Sequence, residues 1–116
     1  MTRSEIWLIN LDPTIGAEIR RKRPAVIVSV DSIGVLPLRV IVPITEWKEN
    51  YGEAPWMVHL NPDLENNLEK PSCADTFQVR SVSHRRFINR LGKVNLYKMK
   101  EIEHAISRVL GILSCL

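Results

Sequence analysis

The stretch GAEIRRKRPAVIVS, residues 16–29, decides how the rest of the chain is read. Four cations, Arg20, Arg21, Lys22 and Arg23, run into Pro24 and then into the apolar, β-branched segment AVIVSV, Ala25–Val30, of the kind that strands bury. A residue before proline is pushed out of the helical region, so the charge run is a loop that feeds a strand. Arg23 then stands at the rim of a core, where a permanently charged guanidinium needs a partner or a task.

Working outward, runs of similar composition recur at EIWLINLD (Glu5–Asp12), LRVIVPI (Leu38–Ile44), WMVHLNP (Trp56–Pro62) and CADTFQV (Cys73–Val79), and a sixth strand is expected over Phe87–Val94. Each is bounded by Pro, Gly, Asn or Asp. No helical segment between them is long enough to carry a crossover, which favours an antiparallel meander or small barrel over a parallel α/β sheet.

The end of the chain reads differently. Met99, Ile102, Ile106, Val109, Leu113 and Leu116 recur at spacings of three and four, which predicts one amphipathic helix with Asn95 as its cap, laid over an open end of the barrel. The last residues, LGILSCL (110–116), are apolar enough to suggest subunit contact. Neither an internal repeat nor a linker is visible, and residues 1–116 read as a single domain.

Composition narrows the function. The net charge of +3 is too mild to coat nucleic acid, so local clusters carry the electrostatic argument: Arg20–Arg23, and SHRRFINRLGK (residues 83–93) with His84, Arg85, Arg86, Arg90 and Lys93. No stretch approaches the roughly 18 consecutive apolar residues of a membrane span. The opening MTRSEIWLINLDP lacks the apolar core of a secretory signal, and a cytoplasmic protein without membrane contact is expected.

Cys73 and Cys115 are far apart, and His59, His84 and His104 fall on a strand, a loop and a helix, so no metal site and no cofactor are expected. His59 reads as a strand residue with a satisfied ring and not as a general base. Phosphate-binding glycine loops and a serine nucleophile elbow are missing from the sequence.

Arginine, threonine and carboxylate chemistry remains. When a 2′-hydroxyl attacks its neighbouring phosphate, one group must take its proton, another must protonate the leaving oxygen, and donors must hold the phosphorane charge. Arginine and a hydroxyl meet the last need. Arg23 and Thr45, the latter just past the third strand, come together if the second and third strands are neighbours.

At these residues the sequence resembles the MazF/PemK family of toxin endoribonucleases from toxin–antitoxin systems. The resemblance rests on EIWLINLDPTIGAEIRRKRPAVIVS (residues 5–29), VIVPIT (40–45) and FQVRSVSHRRFINRLGKV (77–94), in the family's order and spacing. It implies a mainly β fold, a small SH3-like or CcdB-like barrel with a C-terminal helix. It further implies a homodimer that cleaves single-stranded RNA without metal, leaving a 2′,3′-cyclic phosphate and a 5′-hydroxyl, and a cognate antitoxin that blocks the RNA groove.

Carried across by position, the catalytic arginine falls on Arg23, the catalytic threonine on Thr45 and the acidic loop residue on Glu18. Lys22, Gln78, Arg80 and Arg86 are expected RNA contacts, with Gln78 and Arg80 on one strand. Trp47, together with Tyr51 and Trp56, is expected to stack on bases or to pack on the barrel. Ser4 stands at a turn where many members have Gly. Two other readings stay open: a CcdB-like toxin that poisons DNA gyrase through its C-terminal residues, and a basic barrel that binds nucleic acid without cutting it.

Overall fold

The computed structural model describes residues 1–32 and 36–112. Within them lie seven strands, β1 (Glu5–Asn10), β2 (Lys22–Ile27), β3 (Leu38–Glu46), β4 (Met57–Leu60), β5 (Ser72–Asp75), β6 (Arg80–Ser83) and β7 (Phe87–Lys93), followed by helix α1 (Leu96–Leu110). All pairings are antiparallel. The order is β4-β5-β3-β2-β1-β7, with β6 also on β3. No ladder closes the sheet among the described residues, so the expected barrel is an open one.

β3 organises the pairing because it is long enough to hold two partners on one edge. Leu38–Ile41 pair with β6 and Ile44–Glu46 with β5, while β2 takes the other edge at Ile41–Pro43. Here the expected single strand over Cys73–Val79 fails. If the β5 register, Ile44 opposite Ala74, ran on unbroken, Ile41 would meet Phe77; it meets Arg80 instead, three residues later. The excess is a one-turn 3-10 helix, Thr76–Gln78, started by the Asp75 carboxylate accepting from Phe77 N. Gln78 therefore lies off the sheet, and Arg80 opens a seventh strand that the sequence reading did not contain.

Two cores lie on the two faces of this sheet. One gathers Ile6, Val26, Val42, Ile44, Val58, Leu60 and Ala74 with Met99, Ile102 and Ala105 of α1, so the expected amphipathic helix packs on one face of the open sheet, where an open barrel end was expected. The other holds Ile9, Leu11, Ala25, Ile27, Ile41 and Val82, with Trp7, Ile19 and Phe87 against it. Asn95 caps α1 by accepting from Lys98 N, at 2.9 Å. The helix stops at Leu110, earlier than the periodicity predicts, because Gly111 takes φ +68° and Ile112 N returns to the Ser107 carbonyl. Leu113, Cys115 and Leu116, and with them the expected subunit contact, lie outside the described residues.

Candidate nucleic-acid interface

Arg23 is inside β2, paired with Ile9 of β1, and Thr45 is inside β3, paired with Cys73 of β5. The two strands are neighbours, and their last mutual pair is Ala25 with Pro43. Carrying that register two residues further sets Arg23 opposite Thr45, on the face shared by Ala25 and Pro43. Pro24 has no N–H to donate toward β3, which ends the ladder just where this pair begins. Arg23 is exposed and Thr45 half-buried, and Arg23 Nε donates to the Arg20 carbonyl at 3.3 Å. Lys22, the next residue on β2, alternates to the opposite face, so the structure does not bring it beside Arg23.

The loop between β1 and β2 carries Glu18 and is tied down along its length. Asp12 accepts from Arg21 N at 3.0 Å and from the Thr14 hydroxyl at 3.4 Å. Arg21 holds a left-handed φ of 71°, which turns the cation run into β2. Arg80 donates to the Leu11 carbonyl at 3.4 Å; Arg86 donates to the carbonyls of Asn10, at 3.2 Å, and Asp12. These two guanidiniums thus spend donors on the loop backbone. Glu18 is exposed, with Oε1 accepting from Ile15 N at 2.6 Å.

Gln78 grips the same loop at its tip. Its Oε1 accepts from Ile19 N at 2.5 Å, and its Nε2 donates to the Ala17 carbonyl at 3.4 Å and to Asp75 Oδ2 at 3.1 Å. Asp75 is only 6% exposed, and burial pushes its pKa up against hydrogen bonds from Phe77 and Gln78 that pull it down. Beside this clamp opens a cleft of about 520 Å³ lined by Glu18, Ile19, Pro43, Phe77, Gln78 and Arg80. Arg23 and Thr45 are not among its lining residues; Thr45 follows Pro43 by two residues on β3, on the same face of the strand.

The aromatic residues divide into two groups. Trp47 is half-buried, stacked on the His59 ring with centroids 4.1 Å apart and set edge-on to Tyr51 at 6.2 Å. One face of Trp47 is therefore committed to packing. His59 lies on β4 as expected, but the ring is not fully satisfied: Nε2 is buried with no hydrogen-bond partner. Cys73, opposite both Thr45 and His59, is buried, and burial followed by the Asp75 charge lifts its thiol pKa to about 11, which makes it inert.

The second group is Trp56 and Phe77, edge to face at 6.0 Å, and Phe77 is 65% exposed. Phe77 was missed from sequence. Asp75 two residues before it is the signal that could have found it, since an aspartate in an apolar run starts a turn.

The match to known proteins is extensive. The model of the PemK-like, MazF-like toxin of type II toxin-antitoxin system covers residues 2–110. Endoribonuclease MazF9 of Mycobacterium tuberculosis is 30% identical over 121 residues, covering 98% of this chain and 99% of the relative. Endoribonuclease MazF of Staphylococcus saprophyticus is 30% identical over 112 residues, covering 97% and 92%. Among solved structures, MazF of Deinococcus radiodurans superimposes with a TM-score of 0.80 at 23% identity over 97% of both chains. A mycobacterial endoribonuclease in complex with its cognate antitoxin follows with a TM-score of 0.78 at 18% identity over 98% of both. The chain belongs to the PemK-like, MazF-like toxin family of type II toxin–antitoxin systems.

Proposed function

We propose that this protein is an endoribonuclease toxin that cuts single-stranded RNA, needs no metal, and is held inactive by a cognate antitoxin. The observation that supports the reading is the β2–β3 register, which, carried two residues past Ala25 and Pro43, sets Arg23 opposite Thr45, with Pro43 itself lining the cleft that holds Glu18 and Arg80. A phosphate seated there meets a planar, always-charged donor and a hydroxyl.

In the step proposed, the 2′-hydroxyl of the nucleotide attacks the adjacent phosphorus and its proton passes to Glu18. Arg23 and Thr45 hold the negative charge of the pentacoordinate phosphorus, and Arg23 lies nearest in role to the acid that protonates the departing 5′-oxygen. The products are a 2′,3′-cyclic phosphate and a 5′-hydroxyl. Lys22, Gln78, Arg80, Arg86 and Trp47 are proposed to serve the RNA around this centre, Gln78 and Arg86 through the loop they fix.

The protein acts in this reading as a cytoplasmic homodimer; among the described residues no helix is long and apolar enough to cross a membrane. The gyrase-poison alternative is not favoured, since relatives aligned over nearly the whole chain are endoribonucleases by name.

The test is incubation with a long single-stranded RNA in EDTA, with 5′ ends mapped beside an Arg23→Ala control. Discrete cuts made by the wild type alone support the reading. An Arg23→Ala protein that cuts at the wild-type rate overturns the assignment.

A further inference from the structure

The register between β3 and its two partners ejects a phenylalanine from the sheet. Phe77 sits where an unbroken ladder would have paired it with the buried Ile41, yet it is 65% exposed on the rim of the cleft. Leaving a large apolar ring in water forfeits its burial free energy, so a monomer gains nothing from it.

The ejection is also held firmly. Asp75 Oδ1 accepts from Phe77 N at 3.1 Å, and the fully buried Thr76 gives both its backbone N, at 3.0 Å, and its hydroxyl, at 2.6 Å, to the Trp56 carbonyl. The backbone that presents the ring is thus held before any ligand arrives.

We propose that Phe77, braced by Trp56, is a nucleobase-stacking platform that takes one base of the single-stranded RNA in the cleft. The proposal rests on the ribonuclease reading above and names where that RNA is gripped apart from its phosphate. An edge-to-face pair leaves each ring at least one face uncommitted to the other, which is what a stacked base needs. Arg80 and Gln78 line the same cleft, so the apolar face is bordered by a cation suited to a phosphate and an amide beside it. Trp47 is the weaker platform because His59 already occupies one of its faces.

The experiment compares wild type with Phe77→Leu and Phe77→Tyr on the shortest oligoribonucleotide that spans a mapped cut. The same oligonucleotide is then used with single bases removed in turn. Phe77→Leu keeps bulk and loses the π face, so its KM is expected to rise roughly 5- to 100-fold while kcat changes little, and Phe77→Tyr is expected to stay within about twofold. Removing one particular base is expected to erase the difference between wild type and Phe77→Leu, a result that a merely structural role does not produce.

Unchanged KM and an unchanged cut map in Phe77→Leu overturn the platform while leaving the ribonuclease reading intact, also if that variant has lost affinity for the antitoxin. Wild-type protein that neither cuts nor binds RNA overturns both.

Discussion

Gln78 donates from Nε2 to Asp75 Oδ2 at 3.1 Å, and because an ionised carboxylate only accepts, this contact fixes which end of the amide meets Ile19 N. The loop bearing Glu18 is thereby oriented from the sheet. Replacing Gln78 by Leu leaves Ile19 N without its acceptor and frees the loop. We expect kcat/KM for RNA to fall about 10- to 100-fold, as misplacement of a reacting group does, with about 1 kcal/mol lost in stability. Hydrogen exchange at the Ile19 amide checks it: continued protection in the variant contradicts the clamp.

The buried Asp75 also makes stability depend on pH in an unusual direction. Burial raises its folded-state pKa above the ordinary 3.8, so the folded protein holds this proton more tightly than the unfolded chain does. The contribution is fully present below 3.8 and lost as pH rises through the folded value. Asp75→Asn removes that dependence, though it also sets an amide NH2 against Gln78 Nε2. The unfolding free energy of wild type minus that of Asp75→Asn is therefore expected to fall as pH rises from about 3 to about 7. Urea titrations at several pH values measure it, and a flat difference contradicts the burial argument.

If Arg23 and Thr45 hold one phosphate, their substitutions cannot be independent. Arg23→Ala and Thr45→Ala are each expected to cost on the order of 10²- to 10³-fold in kcat/KM. The double variant is expected to cost far less than the product of the two. Multiplicative losses in steady-state cleavage show instead that the two side chains act on different atoms.

Most strands were legible because they follow local pattern, β-branched runs bounded by breakers, while the meeting of Arg23 and Thr45 was read only on the condition, met here, that β2 and β3 are neighbours. What escaped depends on contacts between distant segments. Trp47 and Trp56 look alike in sequence, and only the β4 neighbour His59 stacking on Trp47 separates a packed ring from a freer one. CADTFQV alternates well enough to pass for one strand, and its break comes from an Asp75 carboxylate that caps inward where a surface aspartate would face water. Gln78 and Arg86 were read as RNA contacts from their position, while their hydrogen bonds show them holding the β1–β2 loop. Helix α1 was read past its end because Gly111 was counted within an apolar stripe.

Ser4 stands at a turn in a backbone conformation that glycine adopts at less cost. Its φ is 77°, in the region where a Cβ is crowded, yet its backbone is engaged on both sides, donating to the Ile27 carbonyl and accepting from Val94 N, each at 2.9 Å. Ser4→Gly relieves the strain without disturbing those bonds, offset in part by the freer unfolded chain. The net gain is expected to be about 0.5–1 kcal/mol, read as a Tm rise of roughly 2–6 °C. A lowered Tm means that the Ser4 side chain contributes more than its strain costs.

Gly92 presents the opposite case, a glycine that space requires. A Cβ built there would lie 2.3 Å from the Glu65 carbonyl oxygen and 2.7 Å from that of Asn66. Those are backbone atoms of a loop with little room to give. The buried Asn66 side chain accepts from Asp63 N and Leu68 N and donates to the Asn61 carbonyl, while Lys93 N donates to the same Glu65 oxygen at 3.0 Å. Gly92 also pairs with Ile6 just before a register shift in the β1–β7 ladder, so moving it strains the sheet edge as well. Gly92→Ala is expected to destabilise by about 1–3 kcal/mol, the usual cost of forcing extra volume into a packed site. Gly52, with nothing within 4 Å of its virtual Cβ, supplies the control, and Gly52→Ala is expected to lie within about 0.5 kcal/mol of wild type. Urea midpoints for the two variants decide the matter: equal midpoints mean that the 61–68 loop yields, and that its hydrogen bonds do not hold it against β7.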